Sequence, residues 1–353
     1  MRIVLSNSSV KWGGVHVFTE LLARGLLARG HDVTVFGAPG SILEERMKPV
    51  APFEPILRGM DLHPATLWRV TRALARHGSE VVLALMKKDV RLTVPAAWAM
   101  GIPTVVRHAN DRPLTGWIYD RVFFGALPAL HVANSRATRA TLLGAELLRP
   151  ESVKVVYNGI DPSPIDSAVP ADLDLPKDAL AIGFAGRLER RKGLLDLVRA
   201  WPDVAGKVPN AHLLIAGRGP DEPEARRILG DAPRVHWLGY RDDIPSVLRA
   251  LDIAVVPSHW EGFGFIAAEA MIAGLPVIAA DASSLPEIVR DGIDGTLVPS
   301  HDPAALAGAL IRLSGDPGMR ARMGAAGRAR ALEQFGIERM VDEYEQILEK
   351  ACG

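Results

Sequence analysis

Short, nearly uninterrupted apolar runs recur along this chain, separated by amphipathic stretches. Residues 2–5, 31–36, 81–85, 104–108, 131–135 and 153–159 form the first series. Between residues 15 and 29 the apolar positions Val17, Phe18, Leu21, Leu22 and Leu26 instead recur at helical spacing, and Gly30 supplies a C-terminal stop. Strands this apolar are buried on both faces. Their alternation with helices predicts a parallel sheet covered on each side.

The rhythm breaks at residues 161–178, a stretch rich in proline and aspartate with no periodicity, which reads as an interdomain linker. It then resumes with strands expected at 181–186, 212–217, 235–239, 253–258, 276–280 and 295–299. The expected fold is therefore α/β, two tandem Rossmann-like doubly wound domains. Residues 166–335 make the second domain, and residues 1–165 make the first, joined by a C-terminal helix over 336–353. Ligand is expected in a cleft between such domains, where loops at the carboxyl ends of strands converge. Residues 317–350 read as helical, with Phe335, Met340, Val341, Tyr344, Ile347 and Leu348 on one stripe and a bend at Gly336.

Composition narrows the class. The chain has 353 residues, 48% hydrophobic and 23% charged, the profile of a soluble globular enzyme. Lys and Arg number 41, as do Asp and Glu, so no bulk positive charge is available to hold nucleic acid. The balance is uneven along the chain. Residues 1–165 carry 20 basic and 13 acidic side chains, and the remainder reverses the excess. A basic first half suits a phosphorylated acceptor or peripheral contact with a membrane surface. The single cysteine, Cys352, excludes an internal disulfide and a cysteine-based metal site. The N-terminal apolar run is too short for a secretory signal, and Pro95 and Pro103 interrupt the longest uncharged stretch. A cytoplasmic location is expected, with at most peripheral attachment at the inner face of the membrane.

Two loops carry the strongest chemistry. After the strand at 181–186 come Arg187, Lys192 and Gly193 ahead of a helix. Free amides at a helix start, an arginine fork and a lysine together suit a pyrophosphate. After the strand at 253–258 come Glu261, Gly262, Phe263, Gly264 and Phe265, then a helix bearing Glu269. Carboxylates beside a phosphate site call for hydroxyl groups to accept from, such as those of a sugar or ribose. Residues 262–267 also match a dinucleotide fingerprint, but the stretch from Ser258 to Glu261 keeps the strand from running straight into its first glycine. Gly13 and Gly14 precede the first helix and could approach an anion or ligand. His108 ends a strand, where a histidine can hydrogen-bond a sugar or move a proton. The remaining histidines lack metal-ligand spacing. Asp172-Leu173-Asp174 lies in the linker and is read as linker. Trp12 and Trp117 are candidate acceptor-lining aromatics. A nucleophile elbow and a P-loop are both missing from the sequence.

The segments GGVHVFTELLARGLLARGHDVTV, VYNGID (156–161), GRLERRKG (186–193), AGRGP (216–220) and the Glu261-x7-Glu269 pair occur in this order. Together they resemble glycosyltransferase family 4, over essentially the whole chain. That resemblance implies the GT-B fold, an acceptor-binding first domain and a donor-binding second one. It implies a retaining, metal-independent transfer of a hexosyl group from a nucleotide diphosphate sugar to a cell-surface glycan or lipid-linked acceptor, as in polysaccharide or lipopolysaccharide biosynthesis. It assigns catalytic positions to His108, Arg187, Lys192 and Glu261. Arg187 and Lys192 would hold the diphosphate. Glu261 and the amides of Phe263, Gly264 and Phe265 would hold the donor sugar, with Glu269 on the ribose and Gly239 and Tyr240 near the base. Gly13 and Gly14 would approach the phosphate or acceptor. Arg218 stands where the family often has an acidic residue, and the aromatic common after Phe335 is missing. A sugar phosphorylase or sugar-nucleotide epimerase on the same fold is the alternative, and a non-catalytic nucleotide-sugar sensor a third.

Overall fold

The computed structural model describes all residues except 11–12, 59–62 and 110–112. Trp12 therefore lies outside the described residues. The chain divides into two compact units, Met1–Gly159 with Ile337–Gly353, and Ile160–Gly336.

The first unit is built on a seven-stranded parallel sheet. Its strands are β1 (Arg2–Asn7), β2 (Asp32–Gly37), β3 (Phe53–Glu54), β4 (Val81–Ala84), β5 (Thr104–His108), β6 (Leu130–Ala133) and β7 (Val153–Val155), ordered β3-β2-β1-β4-β5-β6-β7. β1 pairs on one side with β2 (Ile3 opposite Val33) and on the other with β4 (Ile3 opposite Val81). Strand order reverses at β1, the place where doubly wound sheets open a crevice at the carboxyl ends. The strand at 53–54 is absent from the apolar pattern because two half-buried residues make no run.

The last helix, Ile337–Cys352, belongs to this unit and covers its sheet through Met340, Val341, Tyr344, Ile347 and Leu348. The helix Gly14–Ala28 meets it closely. A Cβ on Gly25 would lie 2.4 Å from a methyl of Val341, so only glycine allows this approach. Phe18 and Tyr344 stack edge to face at 5.2 Å. The Arg107 guanidinium lies 3.8 Å from the centre of the Phe18 ring and donates to Asn158 Oδ1 at 2.8 Å. Gly159 packs on the same helix, where a Cβ would reach the Ile337 Cα at 2.7 Å. The VYNGID segment thus serves to seat the last helix.

The second unit holds six parallel strands: β8 (Leu180–Ala185), β9 (Ala211–Ala216), β10 (Val235–Gly239), β11 (Ile253–Val256), β12 (Val277–Ala280) and β13 (Gly295–Val298). Their order, β10-β9-β8-β11-β12-β13, reverses between β8 and β11. The helix Leu194–Lys207 buries Leu194, Leu197, Val198 and Trp201 against the sheet. Trp201 satisfies its indole by donating to Pro233 O at 3.0 Å.

Two boundaries differ from the sequence reading. The units part at Gly159/Ile160 rather than after residue 165. The proline-rich stretch is also no free tether. Ser163–Asp166 is a helical turn, Ile165 is buried, Asp166 pairs with Arg328 at 2.8 Å, and Ala171 N donates to Ser246 O. The C-terminal bend falls where expected, because the helix Pro317–Gln334 ends at Phe335 and Ile337 begins the next. Among the described residues no helix is long and apolar enough to cross a membrane.

Candidate functional site

The loops after β8, β9, β10 and β11 surround one cavity of about 470 Å³ in the second unit. Arg187, Lys192, Arg218, Tyr240, Arg241, Glu261, Phe265 and Glu269 line it, together with the glycines at 186 and 217. A cavity at the switch point of a doubly wound sheet is where this architecture places its ligands.

Glycines set the loop geometry. Gly193 has φ 70°, and a Cβ there would lie 1.8 Å from Pro257 O, so the turn after β8 rests directly on the backbone after β11. Gly217 has φ 142° and a Cβ would strike Gly186 O at 1.8 Å, which brings the turns after β8 and β9 into backbone contact. The AGRGP segment is therefore a packing device that delivers Arg218 to the cavity wall.

Lys192 Nζ donates to Glu261 Oε1 at 2.5 Å, both side chains being largely shielded from water. Ser258 Oγ donates to the same oxygen at 3.0 Å. The Ser283 and Ser284 hydroxyls donate to the Glu261 carbonyl at 2.6 and 3.1 Å, and Ser284 also reaches Phe263 O at 2.9 Å. Sequence reading places Lys192 on phosphate and Glu261 on sugar. The structure pairs them with each other, and two of the three ammonium hydrogens remain for an anion. Arg187 is 71% exposed and, among the described residues, tied only by a loose 3.8 Å contact to Glu189. Its fork is free to turn onto a phosphate.

Gly264 caps the helix Phe265–Ile272 in the left-handed region, φ 97°. The first amides of that helix are the unpaired donors of any helix start. Phe263 is buried, edge to face with Phe265 and Phe335. It does not line the cavity, whereas Phe265 does. Glu269 sits on the cavity wall one helical turn beyond Phe265 and has no hydrogen-bond partner among the described residues. Loss of water pushes its carboxyl up to about 7. Tyr240 is 67% exposed on the rim. Gly239, φ 65°, lets β10 end in that turn and gives its carbonyl to Gly217 N at 2.7 Å.

The first-unit candidates stand differently. His108 is 7% exposed, and its Nε2 is hydrogen-bonded to His131 Nδ1 at 3.1 Å, with Phe124 beside the ring. Burial and the neighbouring cations hold it well below the usual histidine range, and burial lowers His131 to about 4. The ring expected to meet a ligand is thus neutral, with one nitrogen committed to the core. The Gly13 amide donates to His16 Nδ1 at 3.1 Å and the His16 and Val17 amides donate to Gly13 O, which leaves the Gly14 and Val15 amides without a partner among the described residues. Trp117 is 75% exposed.

Sequence reading missed Arg241 and Ile244 on the cavity wall, and Ser258, Ser283 and Ser284 behind Glu261. Arg241 follows the singled-out Tyr240 and is held in a two-pronged pair with Asp243 at 2.5 and 2.7 Å. Ser283 and Ser284 carried no local signal, because their partner lies on another loop, and Ser258, three residues before Glu261, carries no charge to mark it. Sequence reading also missed a cluster of Asp196, His259 and His301, drawn together from one helix start and two loops.

Comparison with known proteins agrees with this layout. Residues 12–164 match the family model described as Glycosyltransferase Family 4, and residues 179–316 match that of Glycosyl transferases group 1. A D-inositol 3-phosphate glycosyltransferase of Xylanimonas cellulosilytica is 31% identical, over 96% of this chain and 93% of its own length. One of Stackebrandtia nassauensis is 30% identical over 89% of this chain and 81% of its own length. In structure, Anabaena Alr3699/HepE in complex with UDP superposes with a TM-score of 0.84 at 22% identity, covering 99% of this chain and 100% of its own. A glycosyltransferase from Rickettsia africae gives 0.88 at 16% identity, covering 99% and 98%. The fold is that of these two-domain proteins.

Proposed function

The chain belongs to glycosyltransferase family 4, and we propose that it moves a hexosyl group from a nucleotide diphosphate sugar to a phosphorylated polyol, retaining the anomeric configuration and using no metal in the transfer step. One observation carries the donor assignment. Arg187 and Lys192 line the same 470 Å³ cavity as Glu261 and Glu269. Cations for a diphosphate and carboxylates for hydroxyls are the chemistry that a sugar nucleotide asks for.

In this reading the C1–O bond to the diphosphate breaks as the acceptor oxygen bonds to C1. Negative charge gathers on the leaving phosphate, where Arg187, Lys192 and the start of the helix Phe265–Ile272 meet it. The acceptor's proton passes to a departing phosphate oxygen, so no side-chain nucleophile is required. Glu261, held by Lys192 and Ser258, accepts from the sugar hydroxyls, and Glu269 accepts from the ribose.

The acceptor reading rests on the relatives named D-inositol 3-phosphate glycosyltransferases and on the basic excess of residues 1–165. It takes the place of the glycan or lipid-linked acceptor. An anionic small acceptor accounts for the positive charge without membrane contact. The test is a matrix of UDP-, GDP- and ADP-sugars against inositol phosphate, free inositol and glycan acceptors. Transfer to the phosphorylated polyol, and little to the unphosphorylated one, is expected. A glycan preferred over both overturns the acceptor reading. Epimerised donor formed without any acceptor overturns transfer itself.

A further inference from the structure

We propose that Asp196, His259 and His301 form a binding site for a divalent transition metal of the zinc class, set apart from the donor cavity. Asp196 lies in the first turn of the helix Leu194–Lys207 and is 7% exposed. Its Oδ2 is 2.7 Å from His259 Nε2. His259 follows β11 and is anchored through its amide to Arg191 O at 2.8 Å. His301 follows β13, with φ 62°, and its ring centre is 3.5 Å from that of His259. One ligand atom from each residue lies within 4.8 Å of the other two. A cavity of about 320 Å³ opens onto all three, and none of its lining residues lines the donor cavity.

Two imidazole nitrogens and one carboxylate oxygen are the donor set of three-ligand zinc sites, which leave a fourth position for water. With metal–ligand bonds of about 2.0–2.2 Å, tetrahedral ligand atoms sit about 3.4 Å apart. Asp196 and His259 must therefore part slightly, and His301 must close in. His301 is exposed on a loop and has room to do so. On binding, the metal takes the place between Oδ2 and Nε2, and the His259 hydrogen resides on Nδ1. The nearby cations are already matched. Arg199 contacts the other oxygen of Asp196 at 3.5 Å, and Arg190 pairs with Glu224 at 3.5 Å. A metal here would lock the helix that follows Lys192 to the loop that carries Glu261. It would position the donor cavity without entering the transfer.

The experiment uses the untagged full chain, stripped with chelator and titrated with Co2+ under visible absorption. One equivalent should produce the intense bands of a four- or five-coordinate ion, and Zn2+ should displace them. His301→Gly suits the left-handed backbone and removes a ligand, and Asp196→Asn removes the carboxylate. Each should weaken Co2+ binding at least about tenfold. Arg218→Ala, on the wall of the separate donor cavity, should leave binding unchanged. A weak octahedral spectrum only, or equal binding by wild type and His301→Gly, overturns the site and leaves the transfer reading untouched.

Discussion

Lys192 and Glu261 form a 2.5 Å ion pair that joins the turn after β8 to the loop after β11, the two strands at which the second sheet reverses its order. A shielded pair of this kind is costly to break from one side, because the surviving charge keeps its desolvation without its partner. Here each partner also retains valences toward the cavity. In the proposed reading the pair is a pre-set joint, holding a cation for phosphate and an acceptor for hydroxyls at a fixed spacing before ligand arrives.

Lys192→Ala and Glu261→Gln should each lower kcat/KM by about 10²–10³ if the pair works as a preorganised unit. The double variant should lose far less than the product of the two, since the second substitution removes a group already misplaced. Steady-state kinetics on the two single variants and the double variant decide this. Full additivity would show that the residues act separately.

Arg187 should behave in the opposite way toward stability. It is 71% exposed with one loose contact, so Arg187→Ala should change unfolding free energy by no more than about 0.5 kcal/mol. Its activity should nevertheless fall by about 10²–10³, and Arg187→Lys should recover only part, since a point charge lacks the two-pronged fork. A Tm loss that accompanied the activity loss would mark the residue as structural.

If Glu269 holds the ribose as proposed, donor binding should depend on pH. Its carboxyl titrates at about 7 in the free protein because the cavity wall strips its water. Acceptance from two ribose hydroxyls requires the ionised form, which predominates above that value. Affinity for the sugar nucleotide should therefore rise toward pH 7 and level off above it. Glu269→Gln should bind about tenfold more weakly and show no such rise. Calorimetric titrations between pH 5.5 and 8.5 test both statements, and a wild-type curve as flat as the variant's would dismiss the ribose role.

Gly193 can be tested as a backbone requirement. Alanine there meets Pro257 O at 1.8 Å and must also hold φ 70°, so one of the two loops has to move. A cost of at least about 2 kcal/mol follows from left-handed strain plus overpacking. Thermal unfolding should show it. Activity should fall as well, because the displaced loops carry Lys192 and Glu261. An unchanged Tm would mean that the contact is looser than described.

The strands were legible because parallel strands buried on both faces write themselves as apolar runs; β5 and β10 match their sequence ranges to the residue. The strand Phe53–Glu54 was not legible, since two residues leave no period. Arg187, Lys192 and Glu261 could be found because each sits beside a glycine in a loop after a strand, with a recognisable charge, and Glu269 because it follows Glu261 at a fixed spacing on the next helix. What linear reading could not supply was partnership. Nothing near Lys192 indicates that its ammonium meets Glu261 69 positions later. Nothing near His108 reveals His131, and a spacing search for metal ligands fails when Asp196, His259 and His301 come from a helix start and two distant loops. Such contacts follow from strand order, which brings distant strand ends side by side.

The buried ionisable groups of the first unit set its response to acid. His131 titrates at about 4, below its unfolded value of 6.5, because burial disfavours the imidazolium, and His108 is shifted the same way. Between pH 6.5 and 4 the unfolded chain binds protons that the folded chain refuses. Each histidine therefore lowers stability on acidification, by up to about 1.4 kcal/mol per pH unit. Asp89 opposes them. Burial raises its carboxyl from 3.8 to about 7, and one of its oxygens has no partner among the described residues, so below pH 7 the folded chain takes up the proton first and gains stability as pH falls. Asp89→Asn keeps an acceptor for Ser8 N, the existing 2.8 Å bond, while removing the titration. That variant should lose stability more steeply than wild type as pH drops from 6.5 to 4.5, and His131→Gln should lose it less steeply. Thermal unfolding of the whole chain across that range measures all three slopes. An Asp89→Asn slope equal to that of wild type would show that the carboxyl is already ionised in the folded protein.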